Sequence, residues 1–151
     1  MERIARPNAL QFLQRWQDKQ IIKVVSGLRR CGKSTLLELF KEELLSQGVQ
    51  ENAIQFLNFE DLAYEVLVSD YHRLYQHLKS HLQPDTMNYI FLDEVQNISS
   101  FEKVVDSLYI QPNVDLYITG SNAYFLSGEL ATLLSGRYVE YQLLPLSFAE
   151  Y

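Results

Sequence analysis

The chain has 151 residues, is 47% hydrophobic and 21% charged, and carries a formal net charge of −6. That apolar content supports one packed domain and argues against disorder, while the acidic balance disfavours a general nucleic-acid binder, because phosphate backbones are gripped mainly by Lys and Arg. One cysteine, Cys31, leaves no intrachain disulfide; no apolar stretch approaches the length of a membrane span, and the N-terminus lacks a secretory pattern, so a reducing cytoplasm is the expected compartment.

In chain order, Asn8 is a candidate cap for a helix to about residue 19, with Leu10, Leu13 and Trp16 on one face. Residues 21–26 read as a strand whose near-continuous apolar run suits burial on both faces. A loop follows, then a helix over 33–46 with Leu36, Leu37, Phe40 and Leu44 as its buried stripe and Gly48 as the stop signal. Residues 54–59 form a second strand, and 70–82 a helix ended by Pro84. Residues 89–92 form a short apolar third strand ending in Asp93 and Glu94. Ser99 with Glu102 gives a capping-box pattern before a helix to about 109. Residues 115–119 form a fourth strand, 123–134 a short helix broken near Ser127 and Gly128, and 138–144 a fifth strand. Strands alternating with helices predict an α/β fold, a mainly parallel sheet with crossover helices.

Gly27, Leu28, Arg29, Arg30, Cys31, Gly32, Lys33 and Ser34 match the phosphate-loop pattern G-x-x-x-x-G-K-[ST]. The glycines let backbone N–H groups converge on a phosphate, and the helix that opens near Lys33 aims its positive end at the same place. Lys33 has the reach for β- and γ-phosphates, and the Ser34 hydroxyl is a ligand for Mg²⁺. Thr35 completes the expected nucleotide-binding set. The motif follows an apolar strand and opens an amphipathic helix, which is the context it requires. Arg29 and Arg30 either add charge near the phosphates or face solvent. Cys31 reads first as a small residue that fits the loop, and otherwise as a thiol activated by the helix N-terminus and Lys33.

Asp93 and Glu94 end an apolar strand, and a parallel sheet delivers such ends to the ligand crevice. Behind a phosphate loop, Asp93 is the candidate for the Mg²⁺ shell and Glu94 for polarising the attacking water. After the fourth strand come Gly120, Ser121 and Asn122. Either Ser121 or Asn122 orients the water or contacts the γ-phosphate, or the three form an ordinary turn. Arg137 is either a charge stabiliser for phosphoryl transfer, in cis or across a subunit interface, or a surface arginine beside Glu140. His72, His77 and His81 share one predicted helix and read as a solvated face.

The segments SGLRRCGKST, YIFLDEVQ, YITGSN and LLSGRYVEYQLLPLSFAEY, in that order, resemble the bacterial and archaeal AAA-type ATPases whose ATPase half precedes a C-terminal domain of unknown function. The resemblance covers nearly the whole chain from about Ile4. It implies a P-loop NTPase three-layer sandwich of the additional-strand class, with five strands in the order 5-1-4-3-2. It implies ATP with Mg²⁺ as cofactors, a phosphate loop at Gly27 to Ser34, and metal and water residues at Asp93 and Glu94. It further implies a sensor at Ser121 or Asn122 and a nucleotide-state role for Arg137. Members of that family continue well past PLSFAEY. The expectation is therefore one ATPase domain over 1–151 that lacks its C-terminal end, with the missing C-terminal domain and a homo-oligomer as further partners. The acidic charge gives no support to a nucleic-acid partner.

Three readings follow: an ATPase core, a nucleotide-binding switch with negligible turnover in this shortened form, and a small-molecule P-loop kinase. Small P-loop kinases usually carry an arginine-rich lid, and no such run follows the acidic strand. No Asn-Lys-x-Asp guanine-reading run occurs, which favours adenine.

Overall fold

The computed structural model describes residues 7–27, 32–121, 134 and 136–143. In chain order the elements are α1 (Pro7–Trp16), β1 (Ile22–Gly27), α2 (Lys33–Ser46), β2 (Ile54–Asn58), α3 (Glu65–Val68), α4 (Tyr71–Ser80), β3 (Asn88–Asp93), α5 (Phe101–Tyr109), β4 (Val114–Ser121) and β5 (Tyr138–Leu143). The strands form one sheet in the order β2-β3-β4-β1-β5, and every pairing is parallel. Read from the other edge this is 5-1-4-3-2, the order the resemblance implies.

Side chains of a strand alternate between the two faces, and both faces here are covered. Val25, Tyr89, Phe91, Tyr117 and Leu143 pack against Ala9 and Leu13 of α1 and Leu36, Leu37, Phe40 and Leu44 of α2. Ile22, Val24, Leu57, Ile90, Leu92, Leu116 and Ile118 pack against Leu74 and Leu78 of α4 and Val104, Val105 and Leu108 of α5. The molecule is thus a three-layer α/β sandwich, and the apolar runs of β1, β3 and β4 are explained by double-sided burial.

Helix termini follow local chemistry. Asp70 caps α4 by accepting from the N–H groups of His72 and Arg73 at 3.1 and 3.3 Å. Gly48 stops α2 as expected: it takes φ +97°, and the N–H groups of Gly48 and Val49 donate to Leu45 O and Leu44 O, the paired bonds of a Schellman turn.

Some expectations need correction. α1 starts at Pro7, so Asn8 lies inside the helix rather than capping it. Proline suits a first helical position because its φ is preset and it has no N–H to leave unpaired. α1 ends at Trp16, short of residue 19, where Asp18 turns the chain at φ +63°. Ser99 does not cap α5: its N–H donates to Val68 O, and the residue before the helix is Ser100, at φ +56° with no side-chain cap. The bond to α3 holds Ser99 one residue away from the helix. α3 itself lies in a stretch without helical periodicity. The helix expected over 123–134 falls outside the described residues except for Leu134, which is buried.

At the N-terminal edge of the sheet sits a buried polar knot. Lys23 Nζ pairs with Asp115, and both side chains are fully buried. Asp115 also accepts from the Tyr117 hydroxyl at 2.7 Å and the Asp18 N–H at 2.9 Å. The Tyr89 hydroxyl donates to Asp18 in turn. Burial pushes the Lys23 ammonium down and the Asp115 carboxyl up, with their attraction opposing both shifts. Removing one partner of such a pair strands the other charge. Asp115→Ala is therefore expected to destabilise the fold by about 3–5 kcal/mol in urea unfolding. Asp115→Asn should cost less, since its amide oxygen still accepts hydrogen bonds. A loss below about 1 kcal/mol for the alanine variant would contradict a buried ionic pair.

Candidate nucleotide site

Gly27 is the last residue of β1, and Gly32 turns the chain into α2 at φ +102°, a conformation that side-chain-bearing residues rarely adopt. Gly32 O accepts from Leu36 N–H at 2.9 Å, so the helix is closed from its first turn. This places Lys33, Ser34 and Thr35 in that first turn, above the carboxyl ends of β1 and β3. Leu28, Arg29, Arg30 and Cys31 lie outside the described residues.

Lys33 Nζ donates to Gly27 O at 3.1 Å and lies 3.3 Å from Glu94 Oε1, with both side chains almost wholly buried. The Ser34 hydroxyl donates to Asp93 Oδ2, and the Thr119 hydroxyl donates to Asp93 Oδ1. The Glu94 N–H donates to Thr119 Oγ1 at 2.9 Å. Glu94 takes a left-handed conformation, φ +62° and ψ +54°, which costs a non-glycine residue roughly 1–2 kcal/mol. The bond to Thr119 holds that turn in place and swings the Glu94 carboxylate toward Lys33. Its second oxygen, Oε2, accepts from Gln96 Nε2 at 2.5 Å.

Burial raises the Asp93 carboxyl above its ordinary range, opposed by the bonds from Ser34 and Thr119. The two oxygens Ser34 Oγ and Asp93 Oδ2 already lie within hydrogen-bonding reach of each other. They are hard donors of the kind Mg²⁺ takes, so the residues present fit that ion. The arrangement joins a buried cation, a pair of hard oxygen atoms and a second carboxylate at one edge of the sheet.

The motif residues Gly27, Gly32, Lys33, Ser34, Asp93 and Glu94 thus come together from three places in the chain. Ser121 ends β4 and pairs with Gly27 in register, which puts it at the same sheet edge; Asn122 lies outside the described residues. Arg137 is not brought to this site. It precedes β5, and its carbonyl accepts from Ile22 N–H at the start of β1. β1 is six residues long, so Arg137 stands about 16 Å from the phosphate loop at roughly 3.3 Å per residue. Its guanidinium pairs with Asp106 and stacks 4.7 Å over the Tyr109 ring. Glu140, its suggested neighbour, instead accepts from the Ser26 hydroxyl.

Sequence reasoning missed Thr119 and Gln96. The signal for Thr119 was period two along β4, which puts Asp115, Tyr117 and Thr119 on one face with the last at the carboxyl end. Thr119→Val keeps the shape and removes both bonds, leaving the buried Glu94 N–H unpaired. We expect a loss of about 1–3 kcal/mol in denaturant melts, together with weaker Mg²⁺-dependent nucleotide binding. Unchanged stability and binding would remove Thr119 from the site.

Comparison with known proteins bears on the family and the fold. Residues 19–151 match a family model described as an AAA domain. An uncharacterized protein of Haemophilus influenzae is 45% identical over 150 residues, covering 98% of this chain and 37% of the relative. One of Methanocaldococcus jannaschii is 33% identical over 130 residues, covering 86% of this chain and 28% of the relative. The chain therefore spans about a third of the length of the curated relatives it matches. Among solved structures, the Walker-type ATPase Paby2304 of Pyrococcus abyssi aligns with a TM-score of 0.58 at 19% identity, over 98% of this chain and 55% of that one. PCH-2 of C. elegans aligns at 0.60 and 17%, over 92% and 41%. A DNA polymerase III gamma-subunit-related protein of Thermotoga maritima aligns at 0.61 and 10%, over 93% and 47%. At these identities the structures speak for the fold alone. With the family model spanning the whole described sheet and the phosphate-loop motif present in the sequence, the chain belongs to the AAA domain family of nucleotide-binding P-loop ATPases.

Proposed function

We propose that this chain binds ATP with Mg²⁺ and hydrolyses it. The observation that carries the reading is the convergence of Lys33, Ser34, Asp93 and Glu94 at one edge of the sheet, with Lys33 Nζ 3.3 Å from Glu94 Oε1. The backbone and side chains from Gly27 to Thr35 cradle the phosphates, and Lys33 leaves Glu94 to pair with β- and γ-oxygens. Ser34 and Asp93 hold Mg²⁺, which, when bound, offsets negative charge on the phosphate oxygens. Glu94 takes a proton from water as the water oxygen attacks the γ-phosphorus. The bond from that phosphorus to the bridging oxygen breaks, and ADP leaves with the electron pair. Ser121 or Asn122 senses the γ-phosphate from the end of β4.

The position of Arg137 favours a role across a subunit interface over one in cis, because its own phosphate loop is a strand length away. This makes a homo-oligomer part of the proposal, alongside the C-terminal domain that the family resemblance implies and a cytoplasmic setting. Turnover per chain should then rise with protein concentration, and Arg137→Ala should abolish the rise while nucleotide binding persists. Concentration-independent turnover would remove the role in trans.

A second reading, a switch that binds ATP with negligible turnover, draws support from the engagement of both Glu94 oxygens, one by Lys33 and one by Gln96. One titration series separates the two. Wild type should bind ATP·Mg²⁺ saturably by calorimetry, and Lys33→Ala should lose that binding. Glu94→Gln should bind within a few-fold of wild type and lose about 10²–10⁴ in turnover. Binding without any turnover in the wild type would select the switch, and no binding at all would reject both.

A further inference from the structure

We infer that Gln96 is a positioning residue that holds Glu94 for its role as general base; this rests on the ATPase reading above. Gln96 lies in a single 3-10 turn, Val95–Asn97, directly after Glu94. The turn is pinned from below by Val95, which is fully buried, and closed by the Asn97 N–H donating to Glu94 O at 3.2 Å. Because Glu94 sits in a left-handed conformation, its side chain and that of Gln96 converge, and Gln96 Nε2 donates to Glu94 Oε2 at 2.5 Å.

The orientation of this amide follows from chemistry. Reversed, it would set a carbonyl oxygen against a carboxylate oxygen, and two acceptors repel. In the orientation present, Gln96 Oε1 is buried and has no hydrogen-bond partner among the described residues. Buried polar atoms of this kind are uncommon and call for a reason. An aliphatic side chain here would leave no such orphan, so satisfaction of Gln96 itself does not account for the amide. Its contact with Glu94 does.

The division of the Glu94 carboxylate explains what the contact achieves. Oε1 faces Lys33, the cation that phosphate draws away, and Oε2 faces Gln96. Once Lys33 turns to phosphate, Gln96 is what keeps the carboxylate from swinging, with Oε1 presented to water. A base held in this way contributes through orientation rather than binding.

The test is a double-mutant cycle on the purified protein, with Gln96→Ala, Glu94→Gln and both together. Turnover and ATP·Mg²⁺ affinity are read separately for each. We expect Gln96→Ala to lower kcat about tenfold or more while affinity stays within about twofold. In the Glu94→Gln background it should lower kcat no further, because the residue through which it acts is already disabled. Gln96→Met, of similar length but without the donor, should behave as the alanine variant and guard against a packing effect. A loss of kcat of the same size in both backgrounds, or no loss in a folded variant, overturns the assignment while leaving the ATPase reading standing. A wild type that binds ATP without hydrolysing it overturns both.

Discussion

The hydroxyl of Thr119 is the joint on which the site depends. It donates to Asp93 and accepts from the Glu94 N–H, so a single side chain at the end of β4 fixes two consecutive acidic residues at the end of β3. One of those residues faces the Ser34 hydroxyl and the other the Lys33 ammonium. The acidic strand and the phosphate-loop helix are thereby set in one geometry. Only a parallel sheet in which β4 lies beside both β1 and β3 permits this, because it brings the carboxyl ends of all three strands to one edge.

The two polar clusters on the α2 face of the sheet have opposite designs. At the N-terminal edge, Lys23 and Asp115 are fully buried and satisfied by Tyr117, Asp18 and Lys19. Between the clusters lies an aromatic layer in which Phe91 stacks on Tyr117 at 4.9 Å and on Phe56 at 5.5 Å. At the C-terminal edge Lys33 faces Glu94 and Ser34 faces Asp93, and the proposed function has a phosphate take the place of Glu94 and a divalent ion the place of the Ser34–Asp93 bond. The buried knot and the aromatic layer link neighbouring strands to one another, whereas the pairs at the C-terminal edge are the ones the proposed function opens.

Much of this was legible in the sequence, and the reason differs by residue. The phosphate loop is a local pattern, so Gly27, Gly32, Lys33 and Ser34 are readable from their own neighbourhood. The apolar runs of β1, β3 and β4 announce double-sided burial in the same way. Thr119 was not readable as a site residue, because its partner Asp93 is 26 positions away and only the strand order makes them neighbours. Lys23 was hidden for the same reason, since its partner lies 92 positions away. The placement of Arg137 depends on the register of β5 against β1, which no local pattern encodes. The start of α5 was misread because Ser99 spends its N–H on Val68, a tertiary contact that overrides a good capping sequence.

The most direct test is a crystal structure of the protein with Mg²⁺ and a non-hydrolysable ATP analogue. The account predicts that Lys33 Nζ leaves Glu94 for the β- and γ-phosphate oxygens. It predicts that Ser34 and Asp93 part to share the metal shell, and that the bonds of Thr119 to Asp93 and Glu94 remain. A nucleotide bound at this edge with the Lys33–Glu94 pair intact, or one bound elsewhere on the sheet, would contradict it.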